Sequence, residues 1–231
     1  MRSPLHVLYE DNHLLAIDKP AGLASQGAAE DEESAVTLVR DYLKRKYDKP
    51  GNVYVGVVSR LDLPTTGVLL FARTSKAAAR LSEAFKTRAV KKTYWALVEG
   101  KLDSREGELS HWLCEDPARR SSRICDEKSA GAKLARLTYR ELAAGKGTAG
   151  SGWSAVEIGL LTGRKHQIRV QFADLGHPVL GDGKFGATVD FSPGIALHAH
   201  RIEFEHPVRK EPVAIEAPVG PAWRRFWPEA S

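Results

Sequence analysis

Short strand-like runs that outnumber helical ones predict an α+β chain with a mostly antiparallel sheet. Two observations carry this. Many of the runs are joined by connections too short for a parallel crossover. Helical spacing of apolar residues is confined to a few segments, and one run, Val68 to Ala72, is apolar without a break. The 231 residues, 42% of them hydrophobic, are enough to bury a real core, and we assign residues 1–231 to one domain.

Each element has a local reason. Residues 7–9 and 14–17 alternate as two short strands around the Asp11–Asn12 turn, and Lys19-Pro20-Ala21-Gly22 ends the hairpin. Residues 28–34 are small and acidic and read as a surface loop. Residues 34–47 place Val36, Val39 and Leu43 on one helical face. Residues 52–58 are β-rich. The strand at 67–73 lacks alternation, which implies burial on both faces or a central sheet position. Ser75 reads as the N-cap of a helix through residue 87, with Leu81 and Phe85 inward and Lys76, Arg80, Lys86 and Arg88 outward. Strands follow at 93–98, 108–113, 132–139 and 153–161, with a Gly- and Ala-rich loop at 143–152. Residues 165–175 are helical, with Gly176 beyond the end. A last strand covers 197–205, and 223–227 is a short amphipathic closing piece.

Lys and Arg total 34 against 29 Asp and Glu, a net charge of +5. Basic stretches at 73–92, 119–123 and 164–169 lie within the chain rather than in a tail, which suits a polyanionic partner and equally a solvated surface. Cys114 and Cys125 are too few for a disulfide framework, so they read as reduced and the chain as cytoplasmic. His111 with these two cysteines lacks a fourth ligand, so no metal is expected. The first residues have no apolar h-region of a signal peptide, and no run is long enough to span a bilayer.

Three segments carry chemistry. Residues 59–67 put Asp62 in a turn beside Arg60, just before the apolar strand, where a sheet offers side chains to a ligand. Residues 91–98 place Tyr94 in an apolar strand after Lys91 and Lys92. By itself that is a core tyrosine as readily as a ring that stacks on a flat base. Residues 162–169 put Arg164, Lys165, His166 and Gln167 in the first turn of a helix, a phosphate site or a solvated basic helix end. Arg169 follows Ile168 at the edge of the apolar face, so its stem is buried and it needs a carboxylate. Asp62 and Asp182 are both available for that pairing.

Together these segments resemble the pseudouridine synthases, specifically the RluA-like family of uridine-to-pseudouridine RNA isomerases. The matching residues are Arg60-Leu61-Asp62 with Thr65-Thr66-Gly67, Lys92 through Val98, and Gly163-Arg164 with His166-Gln167-Ile168-Arg169. Weaker matches are Gly181-Asp182 with Gly186, Leu197-His198-Ala199, and His206-Pro207. The resemblance runs from Leu8 to about Val208. It implies an α+β fold with a mainly antiparallel mixed sheet and flanking helices around a central RNA-binding cleft. It implies Asp62 as the catalytic aspartate, Tyr94 as the tyrosine stacked on the target base, and Arg169 as the arginine paired with the aspartate. Arg60 resembles the residue that enters the RNA, and Arg164, Lys165, His166, Gln167, Lys92 and Arg88 complete the RNA-binding set. The implied partner is ribosomal or transfer RNA; no membrane and no obligate protein partner are expected, and a monomer is the default for a chain of this size.

The chemistry agrees. Breaking an N–C glycosidic bond, turning the uracil and joining its C5 to ribose C1′ involves no redox change and no donor, so no cofactor is expected. It needs an ionised carboxylate, which an Asp with a reference pKa of about 3.9 supplies at neutral pH. Whether Asp62 takes the C2′ proton, attacks C1′ or adds to C6 stays open at this level. The base must leave its stack, so flipping onto an aromatic platform is expected. Ser59 stands where many relatives have His, Phe185 where Tyr is usual, and residues 23–27 lack the common His-Pro. No S4-like module is expected, since the pattern begins within the first ten residues. Two other readings compete: a non-catalytic RNA-binding module on the same fold, and a glycoside hydrolase with Glu83, Asp116 or Asp182 as second carboxylate.

Overall fold

The computed structural model describes residues 5–27, 33–146 and 152–230. The chain forms two compact units, residues 1–92 with 199–218, and residues 93–198 with 219–231. The architecture is α+β.

In the first unit, β1 (Val7–Glu10), β2 (Leu14–Lys19) and β4 (Thr66–Ala72) lie in that order, followed by β10 (Leu197–Glu205), which enters this unit at Ala199. β3 (Gly56–Val57) pairs with β4 and β11 (Pro212–Glu216) with β10, both antiparallel. β4 has no polar face because helices cover both sides. Val68, Leu70 and Ala72 pack with Ala77 and Leu81 of α2 (Ser75–Lys86). Leu69 and Phe71 pack with Val36, Val39 and Leu43 of α1 (Ala35–Lys46). Each such side chain contributes ~1.5–3 kcal/mol by leaving water.

Helix α1 begins where the spacing predicts, in a capping box. Ser34 Oγ accepts from the Thr37 amide at 3.4 Å, and Thr37 Oγ1 accepts from the Ser34 amide at 2.9 Å. The α2 cap is Thr74 rather than Ser75, its hydroxyl accepting from the Ala77 amide at 3.2 Å. Either hydroxyl can cap, and Thr74 is the one with extended backbone. Of the β-rich run 52–58 only β3 pairs as a strand. β11 escapes sequence reading because it starts at a proline and offers only Val213 and Ile215 as an inward pair.

In the second unit β5 (Lys91–Glu99) pairs from Thr93 with β9 (Gly152–Leu160), β9 with β8 (Lys133–Lys146), β8 with β6 (Glu106–Asp116), and β6 with β7 (Ser121–Cys125), all antiparallel. Ile168 and Phe172 of α3 (Gln167–Asp174) join Leu97, Leu137, Val156 and Ile158 in its core. The predicted loop at 143–152 is shorter. Residues 143–146 continue β8 and Gly152 opens β9, while 147–151 lie outside the described residues, as do 28–32 of the acidic loop. Helix α3 starts two residues later than its spacing implies. His166 is left-handed, with φ of 53°, and a left-handed residue breaks the helical run. The closing piece is a 3-10 turn, Pro221–Arg225, with Trp223 buried.

The cysteines are not reduced. Cys114 and Cys125 form a disulfide across β6 and β7 with Cα atoms 5.9 Å apart. Cys114 lies opposite Arg123 and Cys125 opposite Trp112, so the two are diagonal neighbours in the ladder. β7 was not legible as a strand, and without it the spacing of two cysteines says nothing of their proximity. Among the described residues no helix is long and apolar enough to cross a membrane.

Candidate active site

Asp62 is half-buried on the turn between β3 and β4, and the Thr65 amide donates to its carbonyl at 3.1 Å. The residues on either side of it are braced by the segment that follows β2. Ser25 Oγ accepts from the Leu61 amide at 2.9 Å and donates to the Leu61 carbonyl at 2.8 Å. The Leu63 carbonyl accepts from the Gly22 amide at 2.9 Å and from Lys19 Nζ at 3.2 Å.

Lys19 is fully buried, its ammonium also donating to the carbonyls of Pro20 at 2.8 Å and Leu23 at 2.9 Å. Burial lowers its pKa to about 8, against the opposing pull of the Asp62 and Asp18 charges. The turn ends at Gly67, with φ of +106°, where a Cβ would sit 2.4 Å from the Ala199 carbonyl oxygen. Only glycine tolerates that approach.

In the second unit Arg169 is buried in a forked ion pair with Asp182. Its Nε donates to Oδ2 at 2.6 Å and its Nη2 to Oδ1 at 2.8 Å. Of the two carboxylates the sequence left available, Asp182 takes this fork. The guanidinium lies over the Phe185 ring, 4.8 Å from its centroid, and His166 meets the same ring edge-on at 5.6 Å. Phe185 therefore does a stacking task that needs no hydroxyl.

The basic segment before α3 divides by exposure. Arg164 and Lys165 are exposed, and Arg164 Nε donates to the Leu134 carbonyl at 3.0 Å. Gln167, an RNA-binding candidate by sequence, is buried. Its Oε1 accepts from Thr162 Oγ1 at 2.8 Å and the Arg164 amide at 3.0 Å, and its Nε2 donates to the Arg136 carbonyl at 3.0 Å. That amide braces the loop. Because α3 begins at Gln167, Arg164 and Lys165 precede the helix and do not form its first turn.

Tyr94 is half-buried on β5 opposite Ile158 and packs against its unit's core. Arg60 and Arg88 are exposed, Arg88 with a left-handed φ of 61° just past α2. Lys92 lies 5.9 Å from the Phe85 ring centroid, and burial lowers its pKa.

Sequence reading passed over Lys19, Ser25 and the role of Phe185. For Lys19 a signal existed. Strand alternation puts it on the face of Leu15 and Ile17, and a lysine on a buried face has a task. For Ser25 there was none, since its partner lies 36 positions away.

Comparisons with known proteins identify the family. Residues 13–174 match the family model described as RNA pseudouridylate synthase. The chain is 34% identical over 215 residues to the uncharacterized RNA pseudouridine synthase YhcT of Bacillus subtilis, covering 93% of this chain and 68% of that protein. It is 34% identical over 220 residues to the dual-specificity RNA pseudouridine synthase RluA of Pasteurella multocida, covering 93% of each. Among solved structures, human RNA pseudouridylate synthase domain containing 1 matches with a TM-score of 0.73 and 28% identity, over 94% of this chain and 84% of that one. Human RNA pseudouridylate synthase domain containing 4, with a TM-score of 0.76 and 23% identity over 95% of this chain and 92% of that one, shares the fold. With the family model spanning more than half of its residues and relatives of this likeness along nearly its whole length, the chain belongs to the RNA pseudouridylate synthase family, isomerases that act on RNA.

Proposed function

We propose that this chain converts uridine to pseudouridine at specific positions of structured ribosomal or transfer RNA, with Asp62 as the catalytic carboxylate. The observation that carries the assignment is the braced turn. A carboxylate sits half-buried there between two residues whose main chain is pinned by the Lys19–Ser25 segment. The reaction breaks N1–C1′, turns the base and forms C5–C1′, while the C5 proton leaves and N1 takes up a proton. Atoms balance without a cofactor. In this reading Tyr94 stacks on the flipped base and Arg169 is the counter-charge of Asp62. Arg60 enters the RNA, and Arg164, Lys165, Lys92 and Arg88 contact phosphates with His166 beside them.

The choice of RNA class draws on relatives. One bears the name ribosomal large subunit pseudouridine synthase D, and another tRNA pseudouridine synthase C. We place the protein in the cytoplasm as a monomer with no obligate partner. With the cysteines joined, the cytoplasmic placement rests on RNA as substrate and not on free thiols. Residues 1–231 act as one catalytic domain in this proposal.

The test is carbodiimide mapping of reverse-transcription stops in RNA from cells lacking the protein. One or a few stops should vanish, return with wild type and stay absent with Asp62→Asn. An unchanged stop pattern rejects the proposal.

A further inference from the structure

We infer that Ser25 is a positioning residue for the isomerisation: its hydroxyl holds the main chain at Leu61 and so sets the direction in which Asp62 is presented. The inference rests on Asp62 being the catalytic carboxylate.

Ser25 is 5% exposed, so it acts through its neighbours and not on the substrate. Its one hydroxyl satisfies both main-chain polar groups of Leu61, accepting at 2.9 Å and donating at 2.8 Å. Leu61 belongs to no strand, so Ser25 supplies there what a paired strand supplies elsewhere. On the far side of Asp62, Lys19 and Gly22 hold the Leu63 carbonyl. Asp62 is thus suspended between two fixed points, and only the Leu61 point depends on a single hydroxyl. Removing it strands a donor and an acceptor and lets the preceding peptide rotate. A displacement on the order of 1 Å at a reacting group costs ~10²-fold in rate.

The experiment is a single-turnover assay with RNA from cells lacking the protein, labelled with tritium at uridine C5, which is released when C5 bonds to C1′. Wild type, Ser25→Ala, Ser25→Thr and Asp62→Asn are compared at a temperature where melting curves show all four folded. Ser25→Ala should lower the maximal rate ~10- to 100-fold while the enzyme concentration for half-maximal rate stays within about twofold. Ser25→Thr, which keeps the hydroxyl, should restore most of the rate.

A wild-type rate for Ser25→Ala overturns the inference. So does a defect confined to half-saturation, or a Ser25→Thr as slow as Ser25→Ala. If Asp62→Asn turns over normally, the assignment of Asp62 fails and this inference with it. If Asp62→Asn is dead and Ser25→Ala is normal, only the inference on Ser25 fails.

Discussion

The Asp62 turn and the Arg169 helix hold their charges in opposite ways. Asp62 is fixed through its neighbours' backbone, with Ser25 on one side and Lys19 and Gly22 on the other. Arg169 is fixed through its own side chain, forked onto Asp182 and stacked on Phe185. The two modes of bracing differ in what they cost. Bracing by backbone fixes where the half-buried carboxylate sits, at little cost in buried charge. The Asp182 fork takes both charges out of water, which is tolerable only because the pair is complete.

The sharpest way to break this contrast is to remove one charge from each region. Asp62→Asn should lower turnover by about 10³-fold or more with only a small change in melting temperature, because the group is half-buried. Tritium release and calorimetry on the same preparation check both halves. Asp182→Ala should act first on stability. It strands a buried guanidinium and costs ~3–5 kcal/mol in chemical denaturation. If Asp182→Ala melts like wild type, the fork does not hold this region together.

Gly67→Ala probes the backbone rather than a charge. It forces a side chain into positive φ and onto the Ala199 carbonyl, for an expected loss of about 1–3 kcal/mol or more. The denaturation midpoint reads it.

The smallest effect is a pH dependence in the first unit. Burial raises the pKa of Asp11, but the amides of His13 and Leu14, the Tyr9 hydroxyl and His206 outweigh it and hold the carboxyl below its usual range. A lowered folded pKa means its stabilisation is whole above the unfolded value near 4 and is lost as pH falls through the folded one. Between pH 5 and 3 the wild type should therefore lose more stability than Asp11→Asn does. Parallel acid-denaturation curves would refute the assignment of this stability to Asp11.

Legibility varied with how local the cause was. The burial of β4, the apolar face of α1 and the strand at Leu197–Glu205 could all be read, because each depends on spacing within one segment. The motif around Asp62 was legible for the same reason. β7 and β11 were not. Each is five residues long, too short for periodicity to separate from a loop. The disulfide followed β7 out of view. The late start of α3 rests on the left-handed His166, a backbone state that no side-chain pattern announces.

Residue types at fixed short spacings carry the fold class, the family and the three chemistry-bearing segments, so these are legible in the chain alone. The tertiary structure alone decided which partners those residues meet. Arg169 forks onto Asp182 from 13 positions away, Ser25 reaches Leu61 across 36, and Lys19 reaches Leu63 across 44. Such choices depend on strand register and turn geometry, which bring distant residues within hydrogen-bond range and leave no trace in local spacing.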